Sequence, residues 1–297
     1  MNLGLRVFMH RYVSGAARSN ARLVALALAF ALACALVFPI IPSVVEAAEA
    51  RSRAADDGRV VLRIAAAADL KFALDELLEK YASIEPDTRI DVTYGSSGNF
   101  FAQLSNGAPF DLYLSADVRY PRLLADAGLA LDDDVFLYAV GRIVVWVPAG
   151  SPVDLEGRGI EALRDPSLRK IAIANPRHAP YGVAAMEAIR SYALVEVVEP
   201  RLVLGENVAQ TAQFVQSGAA SIGIIARSLA SAPTMRHAGR SWLIPRAAHA
   251  RMDQGGLIAR STRSPLRARR LRDFLVGEVA QQVLERYGFE RPGVGGS

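Results

Sequence analysis

The sequence alternates between strand and helix patterns in two successive cycles, and this alternation restricts the fold more than any other feature. Six short apolar or alternating segments have the pattern of strands: 60–65, 90–94, 110–114, 170–174, 202–204 and 221–225. Helical spacing of apolar residues follows the first segment at 70–81 and the fourth at 183–192. Strands that alternate with helices are typical of parallel α/β sheets. We therefore predict an α/β protein with two sheets that face one another.

The N-terminal region has the pattern of an export signal. Basic residues extend to Arg22, residues 23–38 carry no charge, and Ala48-Glu49-Ala50 supplies small residues for cleavage. We predict a signal peptide at 1–50 and a periplasmic location. The alternative is an uncleaved membrane anchor, because the apolar stretch is long enough to span a bilayer.

Composition excludes several classes of function. The chain has one cysteine, Cys34, which lies inside the predicted signal, so the mature chain would hold no thiol nucleophile, disulfide or thiolate metal site. The formal net charge is +4, but the basic residues cluster before the apolar run and at 267–272 and do not alternate with aromatic residues. We therefore expect no nucleic-acid partner.

Four short loops between strands and helices are candidates for binding an anion: 65–69, 95–98, 175–182 and 205–208. In the second, Ser96 and Ser97 stand between two glycines. Main-chain N–H groups at a helix start carry partial positive charge, and serine hydroxyls add further donors. Any one of these loops could serve only to cap its helix. Together they would meet outside the strand ends, where α/β sheets bind ligands.

Several motifs in these loops and strands resemble the periplasmic molybdate-binding proteins of ABC importers. The motifs are the alanine run before Asp69, Ser96-Ser97, the segment from Gly107 to Asp117, His178-Ala-Pro-Tyr-Gly182, Glu206-Asn-Val208, Gly223-Ile-Ile225 and Arg286-Tyr-Gly-Phe289. The resemblance extends from about Val60 to about Phe289.

The resemblance implies a two-lobed, type II periplasmic-binding-protein fold with the ligand cleft between the lobes. Residues 60–139 and 256–291 would form lobe 1, and residues 140–255 would form lobe 2. The protein would be a monomer that captures molybdate or tungstate and delivers it to a membrane permease. It would need no cofactor and no direct metal ligand. The implied ligand-binding residues, which act through N–H groups and hydroxyls, are Asp69, Ser97, Tyr181 and Val208.

Two positions depart from the family pattern. Asp69 aligns with a serine or asparagine that binds the anion, and a carboxylate there would repel a dianion. We expect Asp69 to turn its side chain back as a cap of its own helix and to offer only its N–H. Ala226 stands where many members have a tyrosine, and we expect Tyr181 to supply the missing hydroxyl.

Alternatives remain for the residues and for the function. Ser97 could be only a helix cap, and Tyr181 only a packing residue between lobes. The ligand could be another oxyanion or a small carboxylate. An enzyme or an effector-sensing domain could use the same fold. We predict no catalytic residue, because the sequence shows neither a nucleophile beside a base nor a metal cluster.

Overall fold

The computed structural model describes residues 60–293, with the main chain only at residue 133. The predicted signal peptide lies outside the described residues. Within them, ten strands form two five-stranded sheets. No helix in this part of the chain combines the length and apolar character that crossing a bilayer requires.

The first sheet forms the core of lobe 1, in the order β2-β1-β3-β10-β4. Its strands are β1 Val60–Ala67, β2 Thr88–Gly95, β3 Leu112–Ser115, β4 Ala130–Gly141 and β10 Met252–Ala259. The first three are parallel, as the strand–helix alternation predicts. Strand β10 follows all the strands of the second sheet in the chain, and it runs antiparallel to both β3 and β4.

The second sheet forms the core of lobe 2, in the order β7-β6-β8-β5-β9. Its strands are β5 Ile143–Pro148, β6 Ile171–Ala174, β7 Leu202–Gly205, β8 Ile222–Ala226 and β9 Gly239–Leu243. Strand β6 is parallel to β7 and β8, whereas β5 is antiparallel to β8 and β9. Both sheets are therefore mixed: the strands that alternate with helices are parallel, and the antiparallel strands β5 and β10 are those that follow the two crossovers between the lobes.

Eleven α-helices connect these strands in the described residues. They are α1 Lys71–Ala82, α2 Ser97–Ser105, α3 Arg119–Asp126, α4 Leu155–Arg158, α5 Pro180–Ser191, α6 Val195–Val198, α7 Val208–Gln216, α8 Arg227–Ala230, α9 Pro233–Arg236, α10 Pro265–Val276 and α11 Glu278–Arg286. Short 3-10 turns occur at Ala68–Leu70, Gly159–Arg164, Glu199–Arg201 and Arg246–Ala248.

Two sequence expectations about the C-terminal part of the chain differ from the structure. The pattern predicts one long helix from Pro265 to about Tyr287, but Gly277 is extended (φ −75°, ψ 165°) and separates α10 from α11. The expected lobe boundary after residue 255 falls inside β10. Because this strand is hydrogen-bonded to lobe 1 from Met252 onwards, residues 252–255 belong with the first sheet.

The packing shows that the two lobes meet closely at the strand ends. Most of the lobe 2 core comes from β5, β6, β8 and the helices over them. Ala67 and Ala116 belong to lobe 1, yet both are buried in the same hydrophobic cluster. Small side chains at these two strand ends let the lobes approach one another directly. The cleft in this structure is consequently narrow.

Candidate functional site

A small cavity lies between the lobes where the predicted loops converge. Its empty space is about 190 Å³, and twelve residues line it. Lobe 1 contributes residues 67–69, 95–97 and 116, and lobe 2 contributes residues 179–181 and 207–208. None of these is lysine, arginine or histidine. All four candidate-site residues, Asp69, Ser97, Tyr181 and Val208, are therefore brought together, and the cavity contains no cationic side chain.

Ser97 is the first residue of α2, and its side chain does not cap the helix. The hydroxyl oxygen accepts a hydrogen bond from the Ala116 N–H (3.0 Å), and the residue is 1% exposed. The Tyr113 hydroxyl donates to the Ser97 carbonyl (2.7 Å) and holds the same residue from the other side. Since the oxygen already accepts from the main chain, the hydroxyl proton remains to be donated into the cavity. The capping alternative for Ser97 was wrong.

Val208 lies at the start of α7, where its neighbour supplies the cap. The Asn207 side-chain oxygen accepts hydrogen bonds from the N–H groups of Ala209 and Gln210 (3.0 Å each). The first N–H group of a helix has no carbonyl partner within the helix. Val208 therefore presents a main-chain donor at the positive end of a nine-residue helix, on the wall of the cavity.

Asp69 does not cap its helix, contrary to the sequence expectation. No side-chain capping bond forms at the 3-10 turn or at the start of α1. Instead, Oδ2 accepts hydrogen bonds from the Tyr181 hydroxyl (2.8 Å) and the Gln254 Nε2 (2.7 Å). Asp69 is 1% exposed, and its Oδ1 has no partner in the described residues. The carboxyl group thus crosses the cleft to join the lobes.

Burial governs the electrostatics of this carboxyl group. Desolvation raises the pKa of Asp69 to about 6, and the hydrogen bonds from Gln254 and Tyr181 offset only part of that effect. The main-chain N–H groups of Asp69 and Leu70 also lower the pKa, although Oδ1 has no partner at hydrogen-bond geometry in the described residues. Burial and the adjacent Asp69 also raise the pKa of Tyr181 well above its usual value, so its hydroxyl stays a donor.

Tyr181 therefore has a different partner from the one expected. Its hydroxyl donates to Asp69 and accepts from the Gln254 Nε2 (3.0 Å). A hydroxyl has one proton, so Tyr181 holds the carboxyl group and does not donate to a second acceptor in this arrangement. Ala226 itself has no hydroxyl group, and α8 begins at the next residue. Ser228, two residues later, donates instead to the main-chain carbonyl of Asp69 (2.8 Å).

The second loop of lobe 1 also contacts lobe 2, through the main chain of His178. The Ser96 hydroxyl and the Gly98 N–H both donate to the His178 carbonyl oxygen, the latter at 2.9 Å. A Cβ atom at Gly98 would lie 2.7 Å from that oxygen, so glycine is what allows the approach. Together with the bonds of Asp69, these contacts hold the cleft closed on two sides of the cavity.

The connections between the lobes meet at Glu290. Its main chain pairs with Val140 at the end of β4. Its carboxylate binds Arg142 (2.7 Å), on the first crossover, and Arg246 (2.8 Å), on the second. Arg142 also donates to the Ile244 carbonyl (2.9 Å) and is 7% exposed. The C-terminal segment thus ties both crossovers together behind the cleft.

A wider groove, of about 850 Å³, continues from the cavity toward solvent. It shares Ala116 and Pro180 with the cavity and is lined by charged side chains of both signs. Its Arg119 forms an ion pair with Asp117 (2.6 Å), and Arg119 is 75% exposed on the side-chain scale. Because its charged groups are hydrated or already paired, we place the binding site in the small cavity between the lobes and regard the groove as its approach.

Sequence reasoning missed Gln254 and Ser228, which complete the environment of Asp69. Gln254 is fully buried on β10, where the register with β4 shifts by one residue and turns the side chain toward the cleft. An amide between Asp253 and two glycines, just before an apolar run, was the available signal. No group of three or more His, Cys, Asp or Glu side chains in residues 60–293 is arranged to hold a metal ion.

This fold and cavity are those of a two-lobed solute-binding protein. The sequence profile of the family described as bacterial extracellular solute-binding protein matches residues 62–290, and the chain belongs to that family. It is 32% identical to the molybdate-binding protein ModA of Rhodobacter capsulatus over 200 residues, which are 67% of this chain and 77% of that protein. Identity to the molybdate-binding protein ModA of Azotobacter vinelandii is 31% over 230 residues, 77% and 89% of the two chains.

A solved structure agrees with this assignment. The periplasmic molybdate-binding protein of Azotobacter vinelandii superposes with a TM-score of 0.72 at 29% identity. The match covers 78% of this chain and 99% of that one. The prediction of a two-lobed binding-protein fold is confirmed, as is the predicted membership among solute-binding proteins.

Proposed function

We propose that the protein is a periplasmic receptor that captures molybdate, or the similar tungstate ion, and delivers it to the membrane permease of an ABC importer. The observation that supports this most directly is the small cavity between the lobes, which is lined by hydroxyl and main-chain donors and by no cationic side chain. The names of the related proteins support the choice of oxyanion. Export would depend on the predicted signal at 1–50, which lies outside the described residues.

The donors suit a small tetrahedral anion. The Ser97 hydroxyl and the Val208 N–H come from helix starts on opposite lobes, so one anion can bind to both only when the cleft is closed. Hydrogen bonds to a charged acceptor contribute about 1.5–3 kcal/mol each, and several can offset the lost hydration of the ion. Fixed donors on rigid helices would select by size, and thereby favour molybdate over the smaller sulfate.

Closure would also form the signal that the importer reads. Asp69 with Tyr181, and Ser96 with His178, connect the lobes around the cavity. Ligand binding that stabilises these contacts would fix the two lobes in one relative orientation. We propose binding and presentation as the whole function, without catalysis, in keeping with a family of solute-binding proteins.

A second candidate is a receptor for a protonated oxyanion or a small solute with a hydrogen-bond donor. The observation that favours it is the unpartnered, buried Oδ1 of Asp69, a residue that lines the cavity. A ligand with an N–H or O–H group could satisfy this atom directly.

Calorimetric titration of the chain from about residue 51 onwards distinguishes the candidates. We expect one molybdate or tungstate per chain and much weaker binding of sulfate and phosphate. The Ser97→Ala variant is the matched test of the site, since it removes one donor to the anion; its stability is measured beside its affinity, because it also removes the acceptor of the buried Ala116 N–H. Binding of phosphate or a small carboxylate more tightly than molybdate would refute the proposal and support the second candidate.

A further inference from the structure

The carboxyl group of Asp69 is satisfied on one side only. Oδ2 accepts two hydrogen bonds, whereas Oδ1 is buried and accepts none in the described residues. A buried acceptor without a partner is unfavourable, and native structures usually pair such an atom. Asp69 itself lines the cavity. The partner that Oδ1 lacks within the protein can come from the cavity.

None of the cationic side chains described in the structure lies against this carboxyl group to hold it ionised. The turn that bears Asp69 packs against α1, α7 and α8. On α1, Lys71 pairs with Asp75 (3.2 Å), and α7 carries no ionisable side chain. On α8, the aliphatic stem of Arg227 lies against Gly288.

The side chains of the other described elements that act on Asp69 are neutral. Tyr181 on α5 and Tyr138 on β4 are the titratable residues that interact with it, and burial raises the pKa of both phenols. On β10, Gln254 is an amide, and the neighbouring Asp253 pairs with Arg251 (2.7 Å). A dianion in the cavity would therefore meet an uncompensated carboxylate. Two negative charges in such close proximity favour protonation of one of the two groups.

We propose that the anion enters this cavity together with one proton from solvent, which bonds to Oδ1 of Asp69 so that the neutral carboxyl group donates a hydrogen bond to a ligand oxygen. Oδ2 keeps its bonds from Tyr181 and Gln254. The inference depends on the proposed oxyanion-binding function and adds a proton-coupled step to it. In this arrangement, Asp69 can take the role of the serine or asparagine donor of the family pattern, but only while its carboxyl group is protonated.

Proton coupling has a measurable consequence. The pKa of about 6 places the free carboxyl group near the neutral range, and a bound dianion would raise its pKa further. At pH 7 and above, binding would take up close to one proton per anion, compared with about half a proton at pH 6. The dissociation constant would then rise by up to about tenfold per pH unit between pH 6.5 and 8.5.

Calorimetry of molybdate binding at pH 7.5, in buffers of different ionisation enthalpy, measures this uptake. We expect close to one proton for the natural chain. For Asp69→Asn we expect none, with retained and pH-independent affinity, because Asn keeps an acceptor for Tyr181 and Gln254 and offers its own N–H to the anion. The matched control, Asp253→Asn, changes an adjacent carboxylate outside the cavity and should keep the natural pH dependence.

Infrared difference spectra locate the proton. Addition of molybdate should produce a protonated-carboxyl C=O band that is absent in Asp69→Asn. Tight molybdate binding by the natural chain with no proton uptake and no pH dependence would overturn the inference and leave the proposed function standing. Proton uptake that persists in Asp69→Asn would also overturn it. Failure to bind either molybdate or tungstate would overturn the proposed function itself.

Discussion

Replacement of Asp69 by Asn should stabilise the protein in the absence of anion, and the gain should grow with pH. Burial raises the pKa of this carboxyl group from 3.8 to about 6. A group whose pKa is raised on folding contributes stability that is fully present below pH 3.8 and lost as the pH rises through 6. With about 1.4 kcal/mol for each pKa unit, the full loss is about 3 kcal/mol.

Part of this loss has already occurred at pH 5, where the unfolded chain is ionised and the folded chain is not. Between pH 5 and pH 8, about 1–2 kcal/mol remains to be lost. Asparagine cannot ionise, and its oxygen can still accept from Tyr181 and Gln254. The difference in the free energy of unfolding between Asp69→Asn and the natural chain should therefore widen by that amount over this range.

Urea unfolding of both proteins at pH 5, 6, 7 and 8, with anions of the ligand class removed, measures the difference directly. The Asp253→Asn variant shows whether a trend is particular to the buried site, since Asp253 is partly exposed and paired with Arg251. A difference that stays constant from pH 5 to pH 8 would refute the reasoning, because it would mean that burial does not raise the pKa of Asp69.

Three further substitutions test the cavity and the two crossovers between the lobes. Ser97→Ala should weaken molybdate binding by about 1–3 kcal/mol in calorimetry, and it should also lower urea stability by about 1–3 kcal/mol because the buried Ala116 N–H loses its acceptor; a loss of stability at unchanged affinity would contradict the role of Ser97 as a donor. Gly141→Ala would place a Cβ atom 2.7 Å from the Tyr181 hydroxyl and should lower both stability and affinity, by about 1–3 kcal/mol in unfolding experiments; a neutral result would show that the crossover can move aside. Glu290→Gln leaves the buried Arg142 without its charged partner and should cost about 2 kcal/mol or more, which the additional change Arg142→Met should partly restore; equal stability of the single variant and the natural chain would show that the ion pair is dispensable.

Local features of the site could be predicted from the sequence because they depend on residues close together in the chain. Ser97 and Val208 lie at helix starts, as expected, since a strand pattern followed by small or polar residues and then a helical stripe marks such a position. The division of the C-terminal helix at Gly277 was missed because the apolar spacing continues across it and a single glycine is often tolerated within a helix.

The sequence by itself determined the two α/β cycles and the helix starts that supply donors, since both are encoded over a few residues. Only the tertiary structure decided what those donors surround. Asp69 meets Tyr181 and Gln254, which are 112 and 185 residues away along the chain. A carboxyl group at a helix start can accept hydrogen bonds from the nearby main-chain N–H groups, and the sequence therefore predicted that Asp69 caps its own helix. In the structure, the closed lobes instead bury the Asp69 carboxyl group beside two donors that are distant in the sequence. This arrangement depends on how the two sheets pack together, which no local sequence pattern specifies.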